Sequence, residues 1–197
     1  MQPELTLVVA ATRNMGIGAN GTMPWKGLRK EMAYFARVTT RASTPGSMNA
    51  VIMGRKTWDS IPAKFRPLKD RLNIVISRST PTQVPSSPVP ASEPVRVSSL
   101  EQAIQYAREN SNIHRVFVMG GAQIYKAAMD LPASKRILLT SLKREFECDT
   151  FFPELDQSWK QASADELKAW TGEEADAVDG EREEADTKYE FQMWQRE

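Results

Sequence analysis

Cysteine and histidine are almost absent from this sequence, which has one of each among 197 residues, Cys148 and His114. A single cysteine excludes an internal disulfide and a metal site with several cysteine ligands, and it favours a reducing, cytoplasmic location. A single histidine argues against histidine-based triads and against zinc sites with several histidine ligands. We therefore expect no metal site, and acid–base chemistry must come from a carboxylate, a tyrosine, a lysine or water.

The N-terminal region has no basic leader and no apolar run long enough to cross a membrane. Its apolar run from Leu5 to Ala11 is far shorter than the roughly 18 residues that a spanning helix needs. The chain is 41% apolar and 26% charged, which is an ordinary globular balance. We expect a single domain over residues 1–197, with no membrane contact.

The net charge of +1 is unevenly distributed. Segment 172–187, "GEEADAVDGEREEADT", has eight acids and one arginine, a local charge of −7, so the remainder carries +8. Such a run is typical of a solvated loop. A basic remainder suits small anionic ligands and would also suit nucleic acid. Because the basic residues are scattered and no nucleic-acid motif is present, we expect no nucleic-acid partner.

Apolar runs alternate with amphipathic segments along the chain. The predicted strands are "LTLVVAA", "NAVIMG", "LNIVIS", "RVFVMGG", "RILLTSL" and the alternating "KYEFQMWQ". Two of them pass through glycine into the helical segments "GRKTWDSIP" and "GGAQIYKAAMD". The pattern predicts an α/β fold, with a mixed, mainly parallel central sheet, flanking helices and an antiparallel C-terminal edge strand.

Two further segments are recognisable by composition or by their first residues. Helix "SSLEQAIQYAREN" begins with a predicted capping box formed by Ser98 and Glu101. Segment 78–95 is rich in proline and serine, and it predicts an extended surface loop rather than a domain boundary.

An acid interrupts the apolar stripe of the first predicted helix. Leu28, Glu31, Met32 and Phe35 follow helical spacing, and no basic residue lies three or four positions from Glu31. If the stripe is buried, the charge of Glu31 needs a partner from elsewhere, which could be a ligand. If the helix is rotated slightly, Glu31 is an ordinary solvated acid, and the helix alone leaves both interpretations open.

Two strand ends that pass through glycine into a helix are candidate anion sites. One has Gly54 before Arg55, Lys56 and Thr57, and the other is the Gly120–Gly121 pair. The glycines could equally serve tight strand–helix packing. Two such sites suit a ligand with phosphates in two places, such as a dinucleotide, although no G-x-G-x-x-G follows the first strand.

Six motifs together resemble one known family. They are "VVAATRNMGIGANGTMPW", "LRKEMAYF", "VIMGRKTWDSIP", "RPLKDRLNIVISR", "VFVMGGAQIY" and "DTFFPE". In order and spacing they resemble dihydrofolate reductase over nearly the whole chain, and the proline/serine-rich insertion and acidic segment resemble its eukaryotic, fungal-type branch. The resemblance implies NADPH-dependent reduction of 7,8-dihydrofolate to 5,6,7,8-tetrahydrofolate, by hydride transfer to C6 and protonation at N5. It also implies a dihydrofolate reductase-like fold, a role in one-carbon metabolism and binding of antifolates, and we expect a monomer.

The resemblance assigns substrate contacts. Glu31 matches the carboxylate that binds the pterin, and Arg71 matches the arginine that clamps the substrate's glutamate tail. With Glu31, the residues expected at the catalytic ring are Met23, Trp25 and Thr140. The other residues expected around the substrate are Val8, Val9, Ala10, Met32, Phe35, Ile61, Leu68, Met119 and Tyr125.

The resemblance also assigns cofactor contacts and one backbone feature. Arg55, Lys56 and Arg78 would surround the ribose phosphate and so favour NADPH over NADH. The full set of residues expected at NADPH is Ala10, Ile17, Gly21, Gly54, Arg55, Lys56, Thr57, Ser77, Arg78, Gly120, Gly121 and Tyr125. The peptide bond between Gly120 and Gly121 is expected to be cis. Met119 departs from the valine or isoleucine common at its position, which could reshape the site for pterin or for antifolates.

Two other functions are considered. A related reductase of pyrimidine intermediates in riboflavin synthesis would share the fold and cofactor, but it would not need both Glu31 and Arg71. A non-catalytic folate or nucleotide carrier would bind the same ligands without oxidising NADPH.

Overall fold

The computed structural model describes residues 3–79 and 93–197. Its strands are β1 (Leu5–Ala11), β2 (Gly16–Gly18), β3 (Met48–Gly54), β4 (Arg71–Ile76), β5 (Val95–Val97), β6 (Ile113–Val118), β7 (Ser134–Leu142), β8 (Thr150–Phe151), β9 (Lys160–Gln161), β10 (Arg182–Glu184) and β11 (Thr187–Gln195). Its α-helices are α1 (Arg29–Thr40), α2 (Arg55–Ser60), α3 (Leu100–Glu109), α4 (Ala122–Met129), α5 (Ala164–Thr171) and α6 (Ala175–Val178), and Ala63–Phe65 is a 3₁₀ turn.

Two predicted loops can be compared with these elements. Residues 80–92 of the proline/serine-rich loop lie outside the described residues, and Val95, its predicted last residue, is the first residue of β5. The acidic segment 172–187 is not loop throughout, because it contains α6, β10 and the first residue of β11. Most of its acids are exposed, but Glu173 and Val178 are buried, which the composition of the segment concealed.

The contacts between Cα atoms divide the chain into two compact units. The first comprises Met1–Thr6 and Thr39–Ser134, and the second comprises Leu7–Val38 and Lys135–Glu197. The single-domain prediction stays a prediction.

The first unit has a parallel arrangement of strands in the order β6-β3-β4-β5. Residues 50–53 of β3 and 74–75 of β4 have no exposed surface, as expected for central parallel strands that are covered on both faces. Helix α3 is capped by Ser99, whose side chain accepts a hydrogen bond from Gln102 N. The predicted cap at Ser98 is therefore one residue early, because the Gln102 side chain reaches back to bond Ser98.

The second unit has antiparallel strands in the order β10-β11-β7, with β1 next to β7. Strand β11 alternates between buried and more exposed residues as its sequence predicts, and Tyr189, Phe191 and Met193 contribute to the core. The short strands β9 and β10 also pair with β11. The predicted α/β class, with a mixed, mainly parallel sheet, helices and an antiparallel strand near the C-terminus, is confirmed.

Within the described ranges, no helix is both long enough and apolar enough to cross a membrane.

Candidate active site

Helix α1 buries only part of the face that its sequence predicts: Leu28, just before the helix, is buried, and Glu31 and Phe35 are half-buried. Tyr34 and Val38 are buried, whereas Met32, which was assigned to the apolar stripe, is 61% exposed. The ring of Tyr34 stacks on Phe191 of β11, with ring centroids 3.9 Å apart. Glu31 precedes Tyr34 by one turn and is half-buried on the same side of the helix.

Glu31 has a hydroxyl partner. Thr140, a 2% exposed residue of β7, donates a hydrogen bond from Oγ1 to Glu31 Oε1 over 3.0 Å. Among the residues that the structure describes, Glu31 forms no ion pair. Burial raises the pKa of Glu31 to about 7, the negative charge of Glu184 adds to this rise, and the Thr140 hydrogen bond opposes it. A carboxyl group with one weak donor and no cation has acceptor capacity for the N–H groups of a planar heterocycle.

Glu184 of β10 caps helix α1 from a distant part of the sequence. Its carboxylate accepts bonds from Lys30 N at 2.9 and 3.0 Å and from Glu31 N at 3.2 Å, and Tyr189 Oη donates to it over 2.6 Å. Burial opposes ionisation, but these bonds outweigh it and hold the pKa of Glu184 below its usual value. Sequence reasoning missed this residue, because nothing in the acidic run distinguishes it from seven other acids.

Several predicted apolar contacts of the substrate also lie in the second unit. Val8 and Val9 are buried on β1, and Ala10 and Phe35 are half-buried. Trp25 is 5% exposed and packs edge-to-face with the ring of Phe146. Met23, in contrast, is 52% exposed and, like Met32, presents an apolar side chain to a ligand or to solvent.

The first loop is held by close packing at β2 and by backbone hydrogen bonds on either side of Gly21. A Cβ on Gly16 would lie 2.6 Å from Cys148 Sγ, so the close approach of β2 to this region requires glycine. Half-buried Ile17 lies in β2, and Asp149 Oδ2 accepts a bond from Asn20 N over 3.0 Å. At Gly21, φ is 79° and a Cβ would meet nothing within 4 Å. Two backbone hydrogen bonds between Ala19 and Thr22, of 2.8 and 3.1 Å, close the turn that contains Gly21.

In the first unit, the two glycine sites lie against each other. Gly54 N donates to Gly120 O over 2.8 Å, and a Cβ on Gly54 would lie 3.8 Å from Gly121 N. The glycines are the N-caps of α2 (Gly54) and α4 (Gly121), so no N-cap side chain competes for the first N–H groups of either helix. The peptide bond between Gly120 and Gly121 is cis, as expected, and Arg66–Pro67 is also cis.

Tyr125 and Met119 flank the glycine pair. A Cβ on Gly120 would lie 3.2 Å from Tyr125 Cε2, and Tyr125 is 5% exposed. Met119 is half-buried, and its N donates to Ile52 O on the neighbouring strand β3 over 3.0 Å. The longer side chain at position 119 is thus accommodated without loss of the strand contact.

Replacing Gly120 by Ala should lower the free energy of unfolding by about 1 to 3 kcal/mol, because its φ of 120° is unfavourable for a residue with a Cβ. Gly121→Ala is the matched control, since its Cβ would make an ordinary contact 3.5 Å from Thr57 Oγ1. Urea denaturation of both variants measures the difference. Equal losses would contradict the steric argument.

Three exposed cations, Arg55, Lys56 and Arg78, were predicted to bind an anion together with these glycines. Arg55 Nη1 lies 3.6 Å from Asp59 Oδ2, in an exposed i, i+4 pair that contributes little to stability. Exposed Arg78 donates from Nη2 to Gln123 Oε1 over 3.3 Å, and exposed Lys56 follows Arg55 on α2. Ser77 beside Arg78 is buried, and its hydroxyl lies 3.2 Å from that of Ser79. These weakly held cations remain able to bind an anion.

Arg71 is held in place without an acidic partner. Its Nε donates to Lys69 O over 2.8 Å and its Nη1 donates to Thr39 Oγ1 over 2.9 Å. In the described part of the chain it forms no ion pair, and burial lowers its pKa, a change that the charge of Asp70 opposes. The remaining N–H groups on Nη1 and Nη2 can form a fork for a carboxylate.

Asn73 organises the loop that precedes Arg71, and sequence reasoning missed it. Its amide donates to Leu68 O and to Arg71 O, and its Oδ1 accepts from Leu68 N, each over 2.9 Å. Asn73 is 3% exposed, while Leu68 and Ile61 are half-buried. A buried asparagine inside a strand was the available sign of this role.

Over residues 3–79 and 93–197, no group of three or more metal-ligating side chains is present.

Comparison with known proteins agrees with these features. A sequence model of the dihydrofolate reductase family matches residues 4–195. The chain is 42% identical over 211 residues to dihydrofolate reductase of Pneumocystis carinii, covering 100% of this chain and 98% of that protein. It is 39% identical over 199 residues to the mouse enzyme, covering 100% and 99%. The structure of Schistosoma mansoni dihydrofolate reductase superimposes with a TM-score of 0.78 at 35% identity, covering 100% of both chains.

The fold and these matches define an α/β oxidoreductase. The chain belongs to the dihydrofolate reductase family. It is an enzyme that reduces dihydrofolate to tetrahydrofolate with a nicotinamide cofactor, and antifolates are the inhibitors of this family.

Proposed function

We propose that this enzyme uses NADPH to reduce 7,8-dihydrofolate to 5,6,7,8-tetrahydrofolate, with hydride transfer to C6 and protonation at N5. The observation that carries the proposal is Glu31, a half-buried carboxyl group whose hydrogen-bond partner is the hydroxyl of Thr140. The 2-amino group and a ring N–H of a pterin offer two parallel donors to one carboxylate, and charge-assisted bonds are about twice as strong as neutral ones.

The proposed substrate contacts divide into charged and apolar groups. Glu31 orients the pterin, and Arg71 binds the α-carboxylate of the glutamate tail through its guanidinium fork. The proposed apolar contacts are Val8, Val9, Met32, Phe35, Ile61, Leu68 and Met119, with Met23, Trp25 and Thr140 beside the ring and Tyr125 near the glycine pair. The exposed apolar surface of Met23 and Met32 supports a role in covering a ligand.

The glycine cluster fits the phosphates of a dinucleotide. The glycine N-caps leave backbone N–H groups available at the starts of α2 and α4, and a Cβ at Gly120 would crowd Tyr125. When bound, NADPH supplies the hydride. We propose that the residues holding it are Ala10, Ile17, Gly21, Gly54, Arg55, Lys56, Thr57, Ser77, Arg78, Gly120, Gly121 and Tyr125.

The proton for N5 is proposed to arrive through water. The single histidine, His114, is exposed on β6 with its Nε2 3.0 Å from Ser43 Oγ, and it belongs to none of the proposed substrate contacts. Glu31 would bind the opposite edge of the pterin from N5, so its charge acts on the ring rather than delivering the proton directly. The chain's own contribution is orientation of the ring, exclusion of water by the first loop, and electrostatic support of the protonated pterin.

Spectrophotometric measurement of NADPH oxidation tests the proposal, with dihydrofolate and, in parallel, a pyrimidine intermediate of riboflavin synthesis as substrates. We expect NADPH oxidation with dihydrofolate and none with the pyrimidine. Turnover with the pyrimidine would favour the related reductase, and tight binding of NADPH without oxidation would favour a carrier. A monomer without nucleic-acid partners, located in the cytoplasm, stays a prediction.

The preference for NADPH should depend on Lys56 and Arg78. A Lys56→Ala, Arg78→Ala double variant should lower the ratio of kcat/KM for NADPH to that for NADH by about tenfold or more, because charge-assisted bonds to the ribose phosphate are lost. Lys64→Ala, which removes an exposed cation elsewhere in the first unit, is the control. An equal fall in kcat/KM with both cofactors would place the phosphate site elsewhere.

A further inference from the structure

The carboxylate of Glu184 is bound at the first turn of α1 rather than being solvated with the other acids of its segment. It accepts three hydrogen-bond contacts from the backbone N–H groups of Lys30 and Glu31 and one from the hydroxyl of Tyr189. Tyr189 is fully buried, so one end of this arrangement is fixed in the core. The two residues that flank Glu184, Glu183 and Ala185, are exposed.

This position gives Glu184 an electrostatic effect on Glu31. The N-terminus of a helix carries a partial positive charge, which favours the ionised form of an acid in the first turn. Glu184 engages the N–H groups of Lys30 and Glu31 and places a full negative charge beside them. It therefore offsets the helix dipole at the position where Glu31 would otherwise benefit from it.

We propose that Glu184 is a positioning residue, which fixes the start of α1 and disfavours the negative charge of Glu31 until a ligand with paired N–H donors binds. The proposal rests on the proposed function only in the identity of that ligand, the pterin of dihydrofolate. The chemistry of the ligand follows from the site: N–H groups compensate the charge on Glu31, and Thr140 supplies one further donor.

Other ionisable groups near Glu31 are compatible with this role. On α1, Lys30 precedes Glu31 and buried Tyr34 follows it. Burial raises the pKa of Tyr34, the charges of Glu173 and Glu31 add to this rise, and Arg37 opposes it. On β11, the pKa of Tyr189 is raised by burial and by Glu184, while Arg182 of β10 opposes that rise. Both tyrosines are neutral near pH 7. For Glu31 itself, the charge that adds to the effect of burial is that of Glu184.

The test is a ¹³C NMR titration of the Glu31 side-chain carboxyl in the full-length, ligand-free protein, with its signal assigned by its loss in Glu31→Gln. We expect the midpoint to fall by about half a pH unit or more in Glu184→Gln, which keeps an oxygen acceptor but removes the charge. Glu184→Asp, which keeps the charge, should titrate close to the wild type. Glu183→Gln is the matched control, since it removes an exposed charge from the neighbouring position and should leave the midpoint unchanged.

Binding of dihydrofolate to the same variants connects the titration to function. Because ionised Glu31 accepts the pterin N–H groups, Glu184→Gln should retain its dihydrofolate affinity to lower pH than the wild type does. If Glu184 had a purely structural role, Glu184→Gln would bind dihydrofolate with nearly the pH dependence of the wild type, and Glu184→Asp would bind it less tightly. That result would overturn the proposal. An unshifted Glu31 midpoint in Glu184→Gln would also overturn it while leaving dihydrofolate reduction untouched.

Failure of the proposed function gives a different result. If the midpoint shifts as expected but the wild-type protein does not reduce dihydrofolate, the coupling between the two carboxyl groups stands and the assigned substrate is wrong. If Glu184→Gln does not fold, Glu184→Asp still tests the proposal. This variant keeps the negative charge, so a Glu31 midpoint well below that of the wild type would contradict a role for the charge.

Discussion

Glu31→Gln is expected to lower the rate of hydride transfer to dihydrofolate by about 100-fold or more at pH 7. Gln keeps the shape of the side chain and an acceptor for Thr140, but it has no charge to favour a protonated pterin. Single-turnover measurements with saturating NADPH isolate the chemical step from binding and product release. Thr140 Oγ1 can still donate to the Gln oxygen, so the loss reports on charge rather than on a displaced side chain.

The two proteins should also differ in pH dependence. The negative charge of Glu31 favours a protonated pterin, so substrate bound to the wild type can be protonated at a pH at which free substrate is not. The Gln variant has no such charge and depends on substrate that is already protonated in solution. Its rate should climb as pH falls, while the wild type holds its rate to higher pH. A modest loss with an unchanged profile would make Glu31 a solvated acid at the edge of its helix.

Stability measurements provide the control for folding of the Gln variant. The pKa of Glu31 is raised in the folded protein, from 4.5 to about 7, so the unfolded chain ionises first as pH increases. The contribution of Glu31 to stability is therefore fully present below about pH 4.5 and is lost as pH rises through about 7. Relative to the wild type, Glu31→Gln should become more stable across this interval, which urea denaturation at pH 5 and pH 8 can measure.

Arg71→Lys is expected to weaken dihydrofolate binding by about 1.5 to 3 kcal/mol, which is about 10- to 150-fold in Kd. The bonds of Nε to Lys69 O and of Nη1 to Thr39 orient the guanidinium plane, and a lysine ammonium cannot reproduce both them and a two-pronged contact with a carboxylate. Calorimetric titration of the variant and the wild type with dihydrofolate measures the change.

Ligand variation supplies the control for Arg71→Lys. A dihydropteroate, which lacks the glutamate tail, should bind both proteins equally, and NADPH affinity should be unchanged. Equal weakening for both pterin ligands would indicate that the substitution disturbs the loop held by Asn73 rather than a carboxylate contact.

The six longer strands, β1, β3, β4, β6, β7 and β11, could be predicted closely from the sequence because each is an apolar or alternating run, whereas the two- and three-residue strands β2, β5, β8, β9 and β10 are too short to show such a pattern. "LTLVVAA" coincides with β1, and the alternation in "KYEFQMWQ" was sufficient for β11. The buried face of α1 could not be predicted as well. Met32 fits the apolar spacing, but the packing of Tyr34 on Phe191 fixes the rotation of the helix and leaves Met32 exposed.

The residues of the candidate site could be predicted only where they belong to a recognisable sequence motif. The acid at position 31 and the glycines at 54, 120 and 121 could be found from spacing and resemblance. Glu184 could not be singled out, because its role depends on backbone groups whose positions are set by the fold, and Asn73 was marked only as an asparagine within an apolar strand. A composition-based interpretation correctly describes most of the acidic run as solvated and still misses Glu184, whose carboxylate caps α1.

The cap on α1 also bears on how the chain acquires its structure. Glu184 lies 154 residues after Lys30, and the second unit combines Leu7–Val38 with Lys135–Glu197, whereas most of the first unit is the continuous stretch Thr39–Ser134. Contacts of such sequence separation raise the contact order and slow folding, because a long loop must close before they form. During synthesis the ribosome completes Thr39–Ser134 well before it adds β10. Until then, Glu184 cannot bind the start of the helix, so the cap on α1 forms only after most of the chain has been synthesised.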